Sequence, residues 1–432
     1  MICNNLSVSA EGRLLFAGQD VAALMKTYGS PLYLFDEERI RENCRTYYKA
    51  MKEAFGEDAL PLYASKAASF KEIYRIVADE GLGIDVVSQG EIYTAFSAGL
   101  SLENAYFHSN NKTDEDIAFA IKKGVGYFVA DNEEELFAIE RIAAEKGICQ
   151  RVLLRLTPGI DTHTYEAVNT GKVDSKFGSA IETGQADAIT SVALGLPHIH
   201  LVGFHCHVGS QVFDSDTFLR SADIMLAFMA EMKTKYGYTA EQLDLGGGYG
   251  VRYLASDPKI DIAANIFEVA EHVKSKCKAL NLNLPAIRLE PGRSIVADAG
   301  MTLYTVGTIK QIPGYKNYVS VDGGMSDNPR FALYGSAYTV VSAEKMTEPC
   351  DFECSVVGRC CESGDIIQEH VALPSSIKRG DILAVLTTGA YNYSMASNYN
   401  RIPRLPVVML KNGTHRLVVK RESLEDIIKN DL

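Results

Sequence analysis

The chain has 432 residues, too many for one domain of ordinary size, and its 47% hydrophobic and 23% charged residues are the mix of a globular protein. A net charge of −12 argues against a general nucleic-acid surface. No apolar run approaches the roughly 18 residues of a membrane span, and the start MICNNLSVSAEGR lacks the basic head and apolar core of a signal peptide, so a soluble cytoplasmic protein without membrane contact is expected.

In chain order, GRLLFAG and PLYLFD are the first strand-like runs. From Leu60 onward eight short apolar segments recur: Leu60–Lys66, Gly83–Ser88, Asn104–Ser109, Gly126–Asp131, Arg151–Pro158, His200–His207, Gln242–Gly248 and Ala286–Arg293. Helical periodicity fills most of the intervals. Phe70–Asp79 places Ile73, Ile76 and Val77 on one face, and Glu133–Lys146 does the same with Leu136, Ile139 and Ile142. Asp216–Tyr236 and Ile260–Leu280 are predicted as longer helices. This alternation predicts a (β/α)8 TIM-type barrel, with its chemistry at the C-terminal ends of the strands. After about residue 294 the pattern turns to strands alone, closing on VVMLKNG and THRLVVK with an Asn412-Gly413 hairpin turn. The predicted division is a barrel over 37–293 and a β-rich domain, a sandwich or barrel, built from 1–36 plus 294–432. Nine scattered cysteines without a CxxC pair suggest neither a disulfide framework nor a zinc site.

The strand ends carry reactive residues. Lys66 ends the first barrel strand, where a lysine of lowered pKa can attack a carbonyl, although a lone strand-capping lysine is more often a surface group. Glu290 ends the eighth and can face a pyridinium nitrogen; an ion pair with Arg293 is the plainer reading. Gly292 and Arg293 offer backbone N–H groups where barrels commonly bind phosphate, and the Gly246-Gly247-Gly248 turn permits close backbone approach. After the sixth strand, His207 can stack on an aromatic ring and Ser210 can reach a phosphate; His205, on the same side by strand alternation, competes with His207. A lysine, an acid for a ring nitrogen, a stacking histidine and a phosphate cradle, in barrel order, point together to pyridoxal 5'-phosphate.

The segments YASKA, GIDVVSQGE, HSNNK, RLTPGIDTHT, TGKVDSKFG, HCHVGSQ, DLGGGYG, EPGRS, PRFALYG, CESGD and GAYNYSMASNYN span most of the chain. In sequence and order the chain resembles the diaminopimelate decarboxylase family of fold-type III, alanine racemase-like, pyridoxal-phosphate enzymes. The resemblance implies that Lys66 carries the cofactor, His207 stacks on its ring and Glu290 partners the pyridine nitrogen. It implies phosphate contacts from Ser210, Gly247, Gly248, Gly292 and Tyr391. Arg293, Arg330 and Tyr334 would bind the substrate's distal carboxylate, Glu362 its distal ammonium, and Cys361 would return a proton to the product carbon. It further implies a homodimer in which the CESGD loop completes the partner's site. The chain departs from the family pattern at His163-Thr164-Tyr165-Glu166, at Arg359-Cys360 before CESGD, and in RIPRLPVVML.

The expected reaction is the decarboxylation of meso-2,6-diaminopimelate to L-lysine and carbon dioxide, the last step of bacterial lysine biosynthesis. Two arginines and a tyrosine suit a substrate with a distal carboxylate. An enzyme for L-lysine or ornithine would need acids there instead. The rival readings are a decarboxylase of another basic amino acid, a fold-type III racemase and a non-catalytic homologue. A racemase needs a second base opposite Lys66, and retention of Lys66, Glu290 and Cys361 weighs against loss of catalysis.

Overall fold

The computed structural model describes residues 2–160 and 174–432; His163–Glu166 and parts of RLTPGIDTHT and TGKVDSKFG lie outside the described residues. The chain divides into two units, one of Met1–Glu42, Val251–Pro258 and Arg293–Leu432, the other of Asn43–Gly250 and Lys259–Gly292. This differs from the division expected from sequence at residues 37–42, at Arg293 and at Val251–Pro258. The last segment goes with the sheet-rich unit because Tyr253 packs edge-on to Tyr338 at 5.2 Å and its carbonyl accepts from Thr339 Oγ1 at 2.7 Å.

The chain opens with a meander, β1 (Leu6–Val8), β2 (Leu14–Phe16) and β3 (Gln19–Asp20). α1 (Val21–Tyr28) begins where the Asp20 carboxylate accepts from the N–H groups of Ala22 and Ala23, and ends at Gly29. β4 (Leu32–Asp36) and α2 (Glu37–Phe55) follow.

The barrel strands are β5 (Leu60–Ala64), β6 (Gly83–Val86), β7 (Ala105–Phe107), β8 (Tyr127–Ala130) and β9 (Gln150–Thr157); the short β10 (Ser179–Ala180) lies beside β9, and β11 (Ile199–His205), β12 (Gln242–Asp244) and β13 (Ala286–Leu289) complete the set. All pair in parallel, and β8 bonds to β9 to close an eight-stranded ring. Strands buried on both faces read as continuous apolar runs, as YFVA in β8 does. Helices α3 (Lys71–Asp79), α4 (Gln89–Ser97), α5 (Asp114–Lys123), α6 (Glu133–Lys146), α7 (Gln185–Leu194), α8 (Asp216–Tyr236) and α9 (Ile262–Ala279) fill the crossovers. The predicted stripes are the buried faces: Ile73, Ile76 and Val77 in α3, Leu136, Ile139 and Ile142 in α6. Local signals set the boundaries: α5 starts at a Thr113–Asp116 capping box and stops at the left-handed Gly124. Leu62, Tyr106, Tyr127, Val129, Leu153 and Val202, from five barrel strands, form one core cluster. The fill is therefore side chain, not channel.

In the other unit β14 (Gly300–Ile312) is the spine. Its first half pairs antiparallel with β4 and β19 (Ile382–Leu386), its second half with β15 (Lys316–Val321). α10 (Arg293–Val296) precedes it, and α11 (Arg330–Tyr334) and β16 (Val340–Ser342) follow β15. β17 (Phe352–Val357) and β18 (Ile366–Leu373) extend the sheet past β15; β20 (Val407–Lys411) and β21 (Thr414–Val419) extend it past β4. The period of two splits β14 between two cores: Met301 and Leu303 join one, Tyr304 and Val306 the other. Asn412 and Gly413, with φ of 48° and 75°, make the final turn.

Candidate active site

Parallel strands bring their C-terminal ends to one face, and the barrel's polar residues gather there. Lys66 lies on the single 3-10 turn Ser65–Ala67 that follows β5. Its Nζ donates to Asp85 Oδ2 of β6 at 3.2 Å; the lysine side chain is 41% exposed and the aspartate 1%. The amine is therefore reachable while its counter-charge is fixed. His108 directly follows β7, with Nε2 2.7 Å from Glu290 Oε1 and 3.9 Å from Asp85 Oδ1. His205, the last residue of β11, places Nε2 3.3 Å from Glu290 Oε2. The loop after His108 is pinned by buried Lys112, whose Nζ donates to Glu135 Oε1 at 2.7 Å, Val129 O at 2.8 Å and Ser109 O at 3.2 Å.

Asp244 joins this group, the ligand-type atoms of His108, His205, Asp244 and Glu290 all lying within 4.8 Å of one another. One negative charge is shared unequally. Burial opposes ionisation of Glu290, but His108 and His205 outweigh it and hold its carboxyl well below the usual range. Burial, then the negative Glu290, pushes Asp244 well up. Glu290 is thus the ionised member. Burial lowers His205 to about 4. The close approach of His108 Nε2 to Glu290 Oε1 is not a hydrogen bond, and both atoms are buried without such a partner. An ionised, buried oxygen with an unused acceptor position fits the protonated ring nitrogen of pyridoxal phosphate.

His207 lies past β11, and its Nδ1 accepts from the Gly247 N–H at 3.3 Å, which leaves the ring proton on Nε2. Burial, Lys66 and Arg155 push its pKa well below the ordinary value, so the ring is neutral and suited to stacking. The two histidines that competed in sequence thus face different partners. The glycine turn is demanded first by the protein itself. A Cβ on Gly247 would lie 2.0 Å from Glu290 O, and Gly248, at φ +129°, would press 2.5 Å from Gly209 O. Ser210 is half-buried in the turn after β11, and buried Gly292 follows Glu290 and Pro291.

In the sheet-rich unit a second group forms. Arg293 and Arg330 are both about 6% exposed, the first residues of α10 and α11. The Tyr391 ring lies 4.8 Å from the Arg293 guanidinium and 5.2 Å from that of Arg330. Tyr334 is 5.2 Å from Arg330. Arg293 Nη1 donates to Tyr253 Oη at 2.6 Å. Arg330 Nη2 donates to Ser336 Oγ at 3.3 Å, while its Nε is buried without a partner, a donor suited to an anion. Tyr391 adopts a left-handed φ of 62°, a cost of order 1–3 kcal/mol that such groups carry where geometry is over-determined. Cys361 and Glu362 are exposed on the loop between β17 and β18, with Glu362 Oε1 accepting from the Gly364 N–H at 3.2 Å.

Sequence reasoning assigned no role to Asp85, His108, Arg155, Asp244 or Tyr253. The first four obey the rule that selected Lys66 and Glu290, a polar residue at the C-terminal end of a barrel strand. That rule was the available signal. Tyr253 had none, because its partner is forty positions away.

Residues 38–297 match the family described as pyridoxal-dependent decarboxylase, pyridoxal binding domain. The chain is 44% identical over 421 residues to the diaminopimelate decarboxylase of Bacillus subtilis (strain 168), covering 98% of this chain and 95% of that protein. It is 43% identical to that of Staphylococcus aureus (strain COL), with coverage of 97% and 98%. The crystal structure of diaminopimelate decarboxylase from M. jannaschii in co-complex with L-lysine superposes with a TM-score of 0.92 at 32% identity, covering 99% of this chain and 98% of that one. The chain belongs to the pyridoxal-dependent decarboxylases, within their diaminopimelate decarboxylase family. Its cofactor is pyridoxal phosphate.

Proposed function

We propose that this protein decarboxylates meso-2,6-diaminopimelate to L-lysine and carbon dioxide, as the last step of lysine biosynthesis. The observation that carries the reading is the pair of buried arginines, Arg293 and Arg330, gathered on Tyr391. Two such cations call for a carboxylate beyond the one that is lost. The L-lysine in the M. jannaschii complex supports the same product.

Pyridoxal phosphate, when bound, supplies the electron sink for the charge left as carbon dioxide departs. Lys66 would provide the amine that holds the cofactor's carbonyl carbon, with Asp85 fixing its direction. Glu290, ionised, would offer Oε1 to the ring N–H. His207, neutral, would cover the ring face, and Ser210, Gly247, Gly248, Gly292 and Tyr391 would receive the phosphate. Arg293, Arg330 and Tyr334 hold the distal carboxylate, and Glu362 takes the distal ammonium. Cys361 delivers a proton to the carbon that lost its carboxyl group, a general-acid role worth about 10²–10⁴-fold. Exposure of Cys361 and Glu362 supports a homodimer in which this loop serves the partner's site. Nine cysteines with no disulfide among them support work in the reducing cytoplasm.

The test is the ratio of specificity constants. L-Lysine and L-ornithine each leave the arginines without a carboxylate, at a cost of about 3–5 kcal/mol, so meso-diaminopimelate should be preferred more than about a hundredfold. Equal or faster decarboxylation of L-lysine or ornithine would overturn the substrate assignment.

A further inference from the structure

Cys360 and Cys361 are neighbours on the loop between β17 and β18, and that loop is tied down. Buried Asp365 accepts the Cys360 N–H on Oδ2 at 2.7 Å and the Met325 N–H on Oδ1 at 2.6 Å. Asn400 Oδ1 accepts the Cys361 N–H at 2.7 Å. Both cysteines are therefore fixed at the backbone, and their sulfurs start from adjoining positions. Cys361 is exposed and Cys360 half-buried. Burial and then Asp365 push the Cys360 thiol up to about 11, so it stays protonated, with a carboxylate in reach to take the proton when the sulfur reacts.

We propose that Cys360 and Cys361 form a reversible vicinal dithiol–disulfide site, oxidised by hydroperoxides, that switches the enzyme off by withdrawing its proton donor. The switch rests on the reading of Cys361 as that donor; the disulfide does not. In the first step the Cys361 thiolate attacks one peroxide oxygen. The O–O bond breaks, the other oxygen leaves with a proton as alcohol or water, and Cys361 becomes a sulfenic acid. In the second the Cys360 sulfur attacks the Cys361 sulfur. The S–O bond breaks, and the departing hydroxide leaves as water with the proton that Cys360 gives up. The dithiol loses two electrons and two protons, and the peroxide bond accepts them.

Adjacency makes the second step intramolecular, with an effective concentration far above that of any free thiol. Adjacency also makes the product labile. Consecutive Cα atoms across a trans peptide are about 3.8 Å apart, closer than the roughly 4.4–6.8 Å of ordinary disulfides, so the ring is strained and readily reduced. Without Cys360 the sulfenic acid has no neighbouring thiol to trap it and proceeds to the sulfinic acid, which thiols do not reverse.

The experiment treats the holoenzyme with hydrogen peroxide and follows decarboxylase activity beside the mass of the peptide containing both cysteines. The wild-type peptide should become lighter by two hydrogens as activity falls roughly a hundredfold or more, the scale of a lost general acid, and dithiothreitol should restore both. Cys360→Ser should keep its basal activity, gain oxygen atoms on Cys361 and stay inactive after dithiothreitol. A wild-type peptide that gains oxygen instead of losing hydrogen would overturn the site. A lighter peptide with full activity would overturn the switch and, with it, the proton-donor reading. Cys361→Ser, assayed without oxidant, checks that reading alone: lost turnover there with no disulfide in the wild type sinks the proposal and leaves the reading standing.

Discussion

Glu290 holds a charge where a lone carboxylate would be neutral. Burial works against it, and two imidazoles reverse the outcome. The partner Asp244 is pushed the other way, so the cluster behaves as a single anion localised on Glu290. His108 is the nearer imidazole, at 2.7 Å. Replacing it removes a depressing influence, so the Glu290 pKa rises and the carboxyl is ionised only at higher pH. His108→Asn should therefore move the acidic limb of the kcat/KM profile to higher pH, with the cofactor retained. An unmoved limb in a variant that still binds cofactor would show that His108 does not set the charge. Lys66 and Glu290 were legible because each ends a strand in a residue whose chemistry is distinctive. The charge partition was not, because it depends on side chains from β7, β11, β12 and β13 meeting across up to 182 positions of chain, the separation of His108 from Glu290.

At the scale of elements, the last hairpin is fastened to the first turn of α2. Glu37, 1% exposed, accepts from Lys411 Nζ at 2.6 Å, Arg416 Nη2 at 2.7 Å and Arg41 Nε at 2.9 Å. Burial opposes this charge, but the three cations prevail and lower its pKa to about 2. A depressed carboxylate stabilises the fold above its unfolded value and loses that contribution as pH falls toward the folded one. The stabilisation is on the order of 2–3 kcal/mol once solvent around half-exposed Lys411 and Arg416 is allowed for. Urea midpoints of wild type and Glu37→Gln should accordingly differ most at neutral pH, converge below about pH 4.5 and meet near pH 2. A gap independent of pH would refute the linkage. The hairpin itself could be read from Asn412-Gly413, since turn chemistry is local. Its partner could not, because Glu37 and Lys411 are far apart in sequence and a Glu-Glu-Arg helix start resembles any solvated one.

For the whole molecule, the barrel was legible strand by strand because each β/α step repeats the same short pattern. The sheet order of the other unit was hidden, since β14 pairs with β4 across the entire barrel sequence. Lys66 and Cys361 belong to different units of the chain. If the protein forms a homodimer with shared sites, mixing inactive Lys66→Ala with inactive Cys361→Ala should restore up to about a quarter of wild-type activity, as one composite site in each mixed dimer is intact. No recovery after verified exchange of subunits would place both residues in one chain's site.

The position of β4 sets an order of assembly. Its five residues, Leu32–Asp36, are all buried, and they lie between β14 and β20. During synthesis β4 emerges before the barrel strands, and β20 after them. The strands of the barrel ring are complete by Leu289, so that ring can close on a ribosome still at work. β4 must wait, with an apolar run uncovered, for β20 to be made, on the order of tens of seconds at typical elongation rates. β4 is thus a strand made before the barrel and covered only after it, the kind of apolar segment that a chaperone would hold meanwhile.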